Sequence, residues 1–145
     1  QLYTRLKFQA ALAMNDLIQK LLNNEVVYTP QDESKVSFAP TLKKEDGLLN
    51  FKVKSVGEIL NLIRALDPWP GTYCFLNGKR MKVLEAETYH AKIAPGVAKN
   101  DMGSLVVGCT DGSLRLVQVQ LEGKKACSDR ELLNGIKSEI NLNNE

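Results

Sequence analysis

The side chains able to do chemistry are few, and they fall into basic clusters rather than into any catalytic set. Lys43-Lys44, Lys79-Arg80 with Lys82, and Lys124-Lys125 are the clusters of positive charge. On one face, such cations would track the phosphates of a nucleic acid, because each phosphate neutralised releases a condensed counterion. Taken singly, each cluster reads as ordinary solvated surface. The stretch 71–125 holds eight basic against five acidic side chains and 126–145 holds two against four, so the charge is polarised although its sum is only +2. Lys124-Lys125 stand just ahead of a helix start, where they oppose the macrodipole, so helix stabilisation does not account for them. Trp69, Tyr73 and Phe75 lie nearby in sequence and could stack bases, but core packing is the job expected of them.

Other chemistry is thinly supplied. The single histidine, His90, cannot build a histidine metal site and reads as a loop histidine. Cys74, Cys109 and Cys127 are odd in number, widely spaced and without a C-x-x-C, which disfavours both a disulfide framework and zinc. Cys74 and Cys109 are expected in the core, and Cys127 has no partner base. The glycines of 103–112 match no phosphate loop, and Glu85 and Glu87 share a strand face without forming an acid/base pair. The residues therefore offer no catalytic, cofactor-binding or metal position. Apolar runs extend for only a few residues, such as Leu105-Val106-Val107, so no membrane span or signal peptide is expected, and the reducing cytoplasm is the expected compartment. With 43% hydrophobic and 25% charged residues in 145, the chain suits one globular domain, or a small domain plus an appendage. It is too short for a dinucleotide-binding domain joined to a separate substrate domain.

The elements that would position the basic clusters follow from periodicity. Leu2, Leu6, Ala10, Ala13, Leu17 and Leu21 form one helical stripe over about residues 2–23, ended by Asn23-Asn24. The chain begins at Gln1 already inside that pattern and reads as a piece of a longer polypeptide. Residues 25–47, with Pro30 and Pro40, read as an irregular linker. Ser55 and Glu58 form a capping box ahead of a stripe of Ile59, Leu62, Ile63 and Leu66, and Asp67-Pro68 stops that helix. A short strand is expected at Leu48 to Phe51. Hairpins are expected around Asn77-Gly78 and around Asp111-Gly112, with earlier turns at Ala94-Pro95-Gly96 and from Lys99 to Gly103. In the strand Ser113 to Leu121, apolar residues occupy both parities, so it is two-sided or bulged. A last helix follows Ser128, whose box partner is Glu131, with Leu132, Leu133, Ile136 and Ile140 as its apolar face; the tail from Asn141 to Glu145 is expected to fray. The fold class is mainly β with flanking α-helices, a small Greek-key barrel of five or six strands.

The string Arg64-Ala65-Leu66-Asp67-Pro68-Trp69-Pro70-Gly71-Thr72-Tyr73, continued by Gly78-Lys79-Arg80-Met81-Lys82-Val83, resembles a segment of the methionyl-tRNA formyltransferase family. Phe38-Ala39-Pro40 and Leu42-Lys43-Lys44-Glu45-Asp46-Gly47 resemble its interdomain linker, and the segment from Gln120 to Ala126 resembles the approach to its closing helix. Thr41 stands where the family often has lysine, and Asn50-Phe51 replaces its usual Asp-Trp pair. The resemblance implies an OB-like domain that helps hold initiator methionyl-tRNA, joined in the full-length enzyme to an N-terminal catalytic domain that uses 10-formyltetrahydrofolate. It implies that 1–24 is the last helix of that absent catalytic domain, 25–47 a linker and 48–145 the tRNA-binding domain. No residue here matches the family's catalytic positions, so the fragment is expected to be inactive alone and to hold no cofactor. The alternatives are a stand-alone barrel for protein interaction or dimerisation, and the corresponding domain of a folate-dependent formyltransferase with another substrate.

Overall fold

The computed structural model describes residues 2–136 and 139–143, and the chain divides into two compact units, 1–39 and 40–145. In the first unit, α1 runs Leu2–Leu22. It closes as the Asn23-Asn24 pair suggested: Asn24 is left-handed at φ 57, and the Glu25 N–H donates to the Lys20 carbonyl at 2.9 Å. None of the residues of α1 is buried, and Leu2 and Leu6 of its apolar stripe are 70% and 58% exposed. Beyond it the chain is extended apart from one 3₁₀ turn, Glu33–Lys35.

The second unit opens with a 3₁₀ turn at Lys44–Gly47 and continues as α2 (Val56–Ala65), β1 (Thr72–Leu76), β2 (Lys79–Tyr89), β3 (Ala98–Asp101), β4 (Ser104–Gly108), β5 (Ser113–Leu121), β6 (Cys127–Ser128), α3 (Asp129–Asn134) and β7 (Leu142–Asn143). Its antiparallel sheet has the order β3-β4-β5-β2-β1-β7, with β6 also on β5. Five longer strands, two of two residues and the flanking helices make the mainly β, barrel-like class expected. β2 and β5 pair over most of their length, with slips between Val83 and Glu85 and between Glu85 and Glu87. Those bulges re-aim the side chains, so Leu114, Leu116 and Val119 are all buried although their parities differ. Both capping boxes form: the Ser55 Oγ accepts from the Glu58 N–H at 3.2 Å, and the Ser128 Oγ from the Glu131 N–H at 3.3 Å. Asn77 and Gly78, at φ 50 and 75, make the expected two-residue turn.

Five expectations are corrected. Leu48 to Phe51 is not a strand; only Leu48 bridges, to Tyr73, and Asn50 accepts the Lys52 N–H at 3.1 Å as the chain turns. The β4–β5 hairpin turns at Thr110-Asp111 rather than at Asp111-Gly112, closed by the Cys109 N–H donating to the Gly112 carbonyl at 2.7 Å, while the Asp111 carboxylate accepts the Val56 N–H at 2.8 Å at the start of α2. The turn expected from Lys99 to Gly103 narrows to Met102 and Gly103, at φ 50 and 80, because Ala98–Asp101 is a strand that pairs with β4 as a further hairpin. Finally, α3 ends at Asn134, so Ile136 and Ile140 pack on the core from outside a helix. Instead of fraying, Leu142 pairs with Leu76 and is buried. Asn77 secures that segment, its Oδ1 accepting the Asn141 N–H at 2.8 Å and its Nδ2 donating to the Glu139 carbonyl at 3.1 Å. Asn144 and Glu145 lie outside the described residues.

Candidate nucleic-acid interface

Strand alternation sends Met81 and Val83 of β2 into the core and leaves Arg80 and Lys82 on its outer face. On β1, Cys74 and Leu76 are buried while Tyr73 and Phe75 face outward, half-buried. The register sets Phe75 opposite Arg80 and Tyr73 opposite Lys82. The two rings meet edge to face at 5.9 Å and 83°, and the Arg80 guanidinium carbon lies 3.8 Å from the centre of the Tyr73 ring, a diagonal cation–π contact. The expectation that these aromatics pack in the core is corrected: both rings lie on the outer face of β1, and Trp69 is 56% exposed in the loop before it.

β5 brings a second cluster to the same place. Lys82 pairs with Gln120 and Met81 with Leu121, and the Glu122 N–H donates to the Arg80 carbonyl at 2.9 Å. The turn carrying Lys124 and Lys125 is thereby fixed beside Arg80. It is closed by the Lys124 N–H donating to the Leu121 carbonyl at 3.0 Å and by Gln120 Nε2 donating to the Lys124 carbonyl at 2.9 Å. Arg80, Lys82, Gln120, Leu121, Glu122 and Gly123 line an open cleft of about 220 Å³. The Arg80 Nε is buried at its edge without a hydrogen-bond partner.

The third cluster arrives through the segment before α2. The Leu49 N–H donates to the Tyr73 carbonyl at 2.8 Å. Gly47 is pressed so closely on β1 that a Cβ would stand 2.0 Å from the Gly71 carbonyl oxygen, which only glycine permits. This contact fixes the 3₁₀ turn at Lys44–Gly47, with Lys43 just ahead of it, beside β1 on the side away from β2. Lys43, Lys44, Lys79, Lys82, Lys124 and Lys125 are exposed and Arg80 is half-buried. Among the described residues none of the seven is in an ion pair. The acidic Glu45 and Glu122 are interspersed with them.

The remaining reactive side chains do not assemble. His90 is exposed just past the end of β2. Burial pushes the Cys74 thiol up to about 12, and burial followed by the nearby Asp111 charge pushes that of Cys109 up to about 11, so neither supplies a thiolate at neutral pH. Among the described residues no group of three metal-ligating side chains is present, and no helix is long and apolar enough to cross a membrane.

One buried charge escaped the sequence reading. Asp129, fully buried at the start of α3, accepts from Arg115 Nε at 2.7 Å, Arg115 Nη2 at 3.0 Å and the Leu105 N–H at 3.1 Å. Glu87 takes Arg115 Nη1 at 3.2 Å. Burial alone would raise the Asp129 carboxyl, but the Arg115 and Leu105 hydrogen bonds outweigh it and hold the group below the usual carboxylate range. In sequence Asp129 follows an N-cap serine and reads as an ordinary acidic residue of a first helical turn. Only its placement over β4 and β5 turns it into a clasp for α3.

Residues 41–137 match the family described as formyl transferase, C-terminal domain. The chain is 40% identical over 134 residues to a methionyl-tRNA formyltransferase of Malacoplasma penetrans, covering 90% of this chain and 41% of that protein. It is 38% identical over 143 residues to one of Natranaerobius thermophilus, covering 92% and 44%. It thus spans about two-fifths of the length of these curated relatives. Among solved structures, a variant of HypX from Aquifex aeolicus superposes with a TM-score of 0.61 at 18% identity, over 87% of this chain and 24% of that one. HypX in complex with tetrahydrofolic acid gives 0.57 at 18% identity, over 80% and 21%. The likeness to HypX is one of fold, while the match over 41–137 takes in all seven of these basic residues, and on that match the chain belongs to the formyl transferase C-terminal domain family.

Proposed function

We propose that this chain is the tRNA-holding part of a methionyl-tRNA formyltransferase, in which the cations around β1, β2 and the turn after β5 grip the sugar-phosphate backbone of initiator methionyl-tRNA. The observation that carries the reading is the convergence of Lys43, Lys44, Lys79, Arg80, Lys82, Lys124 and Lys125, distant in sequence, on adjoining elements of one small domain. Ion pairing does not neutralise them, so their charge is free to replace counterions on a phosphate chain. On this reading 1–24 is the end of a catalytic domain, 25–47 a linker and 48–145 the domain that binds the tRNA. The full-length enzyme takes its formyl group from 10-formyltetrahydrofolate in the cytoplasm, and this chain alone transfers none. The unburied stripe of α1 and the start of the family match at residue 41 support that division.

Filter binding of the 145-residue chain to initiator tRNA over a salt series tests the reading. Affinity at low salt is expected, with log K falling linearly in log salt. Lys43→Ala combined with Lys124→Ala should make that slope shallower by about 0.9 for each phosphate left without its cation. No affinity at low salt, or a slope the double variant leaves unmoved, overturns it.

A further inference from the structure

We propose that the cleft between Arg80, Lys82 and the Gln120–Gly123 turn seats a single phosphodiester group, and that Tyr73 is a positioning residue that holds Arg80 ready for it. As a contact of the RNA-gripping face the seat rests on the function proposed above; as an anion site it stands on its own geometry.

The balance of charge in the cleft selects the ligand. Arg80 and Lys82 contribute two positive charges and Glu122 one negative, leaving a net single positive charge among the lining residues. A phosphodiester carries one negative charge, which matches the balance among the lining residues. Gln120 adds an amide whose Nε2 donates to the Lys124 carbonyl, which fixes the turn that walls the cleft.

The state of Arg80 points the same way. A guanidinium on an exposed strand ordinarily keeps its rotamer freedom and all its water. Here the Tyr73 ring has taken one face of it at 3.8 Å, and the Nε is shut away with no partner. An unpaired buried donor is unfavourable, and the ring contact offsets it only in part, so the side chain is held in a position that a bare surface arginine would not keep. An arginine ordered before its ligand arrives loses less entropy on binding, and its planar fork suits two phosphate oxygens better than an ammonium does. The other six cations of the face have exposed side chains. Arg80 is the half-buried one set in a cleft, which separates it from diffuse electrostatic attraction.

The test uses the chain as it stands and follows the Arg80 Nε–Hε signal by NMR during titration with dimethyl phosphate, a phosphodiester free of any RNA. A saturable shift is expected in the parent chain. Tyr73→Leu should weaken it about five-fold, Tyr73→Phe should retain it because the ring remains, and Glu122→Gln should tighten it by removing the opposing charge. The Arg80→Lys variant, followed by backbone amides of residues 120–123, should lose saturation. Absence of saturation in the parent chain overturns the seat, as does equal binding by Arg80→Lys or Tyr73→Leu, or weaker binding by Glu122→Gln. Should Tyr73→Leu not fold, Tyr73→Phe, Arg80→Lys and Glu122→Gln still decide the matter. A parallel titration with initiator tRNA separates the two readings. Dimethyl phosphate bound at Arg80 without tRNA affinity sinks the proposed function and keeps the seat. Tight tRNA binding by a parent chain that shows no saturable dimethyl phosphate shift at Arg80 sinks the seat and keeps the function.

Discussion

Asp129 and Arg115 show how much rests on one charge in the right place. The carboxylate is fully buried and spends its acceptor capacity on Arg115 and on two backbone N–H groups, those of Leu105 and Arg130. Removing one member of a buried pair strands the other, so Asp129→Asn is expected to cost about 3 kcal/mol in urea unfolding, well above a surface change. The pH dependence has a definite sign. Because the folded carboxyl lies below its unfolded value of about 3.9, its stabilisation is complete above that value and is lost as pH falls through the lower, folded one. Acid unfolding of the parent chain should therefore be steeper than that of Asp129→Asn, a difference that urea midpoints between pH 5 and pH 2 would show. Glu87, held only at the exposed end of Arg115, should contribute much less.

Local signals made the helices and the first hairpin legible, and what stayed hidden has two physical causes. Ser55, Ser128 and Asn77-Gly78 act within three or four residues of themselves, so their types alone foretold the caps and the turn. Met102 acts locally too, and the turn expected within Lys99 to Gly103 is there, but Met102 holds a left-handed conformation, φ 50, that its type disfavours, so nothing marked the turn as confined to Met102-Gly103 and Ala98–Asp101 as a strand. That position should gain from Met102→Asn, which tolerates the same backbone. An increase of roughly 0.5–1 kcal/mol in unfolding free energy is expected, read as a higher thermal midpoint, and an unchanged or lower midpoint would show that the turn is unstrained. β7 was invisible for a different reason. Its two residues pair with β1 and the segment just before them is held by Asn77, more than sixty positions away, and no short-range pattern carries that information. The candidate site divides likewise. Its seven basic residues could be picked out by type, but their convergence depends on the β2–β5 register and on the Leu49 to Tyr73 hydrogen bond. The Arg80 to Tyr73 contact was within reach, since a two-residue Asn77-Gly78 turn already sets Phe75 opposite Arg80 and leaves Tyr73 on the diagonal.

At the scale of the molecule, charge and fold are laid out separately. The core is supplied by the inward faces of β1, β2, β4 and β5 with α2 and α3. Lys79, Arg80, Lys82, Lys124 and Lys125 sit where the first hairpin meets the turn after β5, and other exposed cations, such as Lys52, Lys92 and Lys99, lie elsewhere. At that hairpin and turn electrostatics add little to stability, so on the proposed function mutations of the cations there should change tRNA binding and leave unfolding nearly unmoved. The sheet also has an uneven interior. β5 is hydrogen-bonded to β2 on one edge, while β4 and then β6 share its other edge; β3 and β7 have a neighbour on one side only. Backbone amides open to solvent in the order in which their neighbours let go. In deuterated water, the N–H groups of Leu114, Leu116 and Val119 should therefore be among the last to exchange, through near-complete unfolding, and those of β3 and β7 among the first. The strand that anchors the Lys124-Lys125 turn is thus also the most persistent part of the sheet, and the turn keeps its footing through every opening short of the global one.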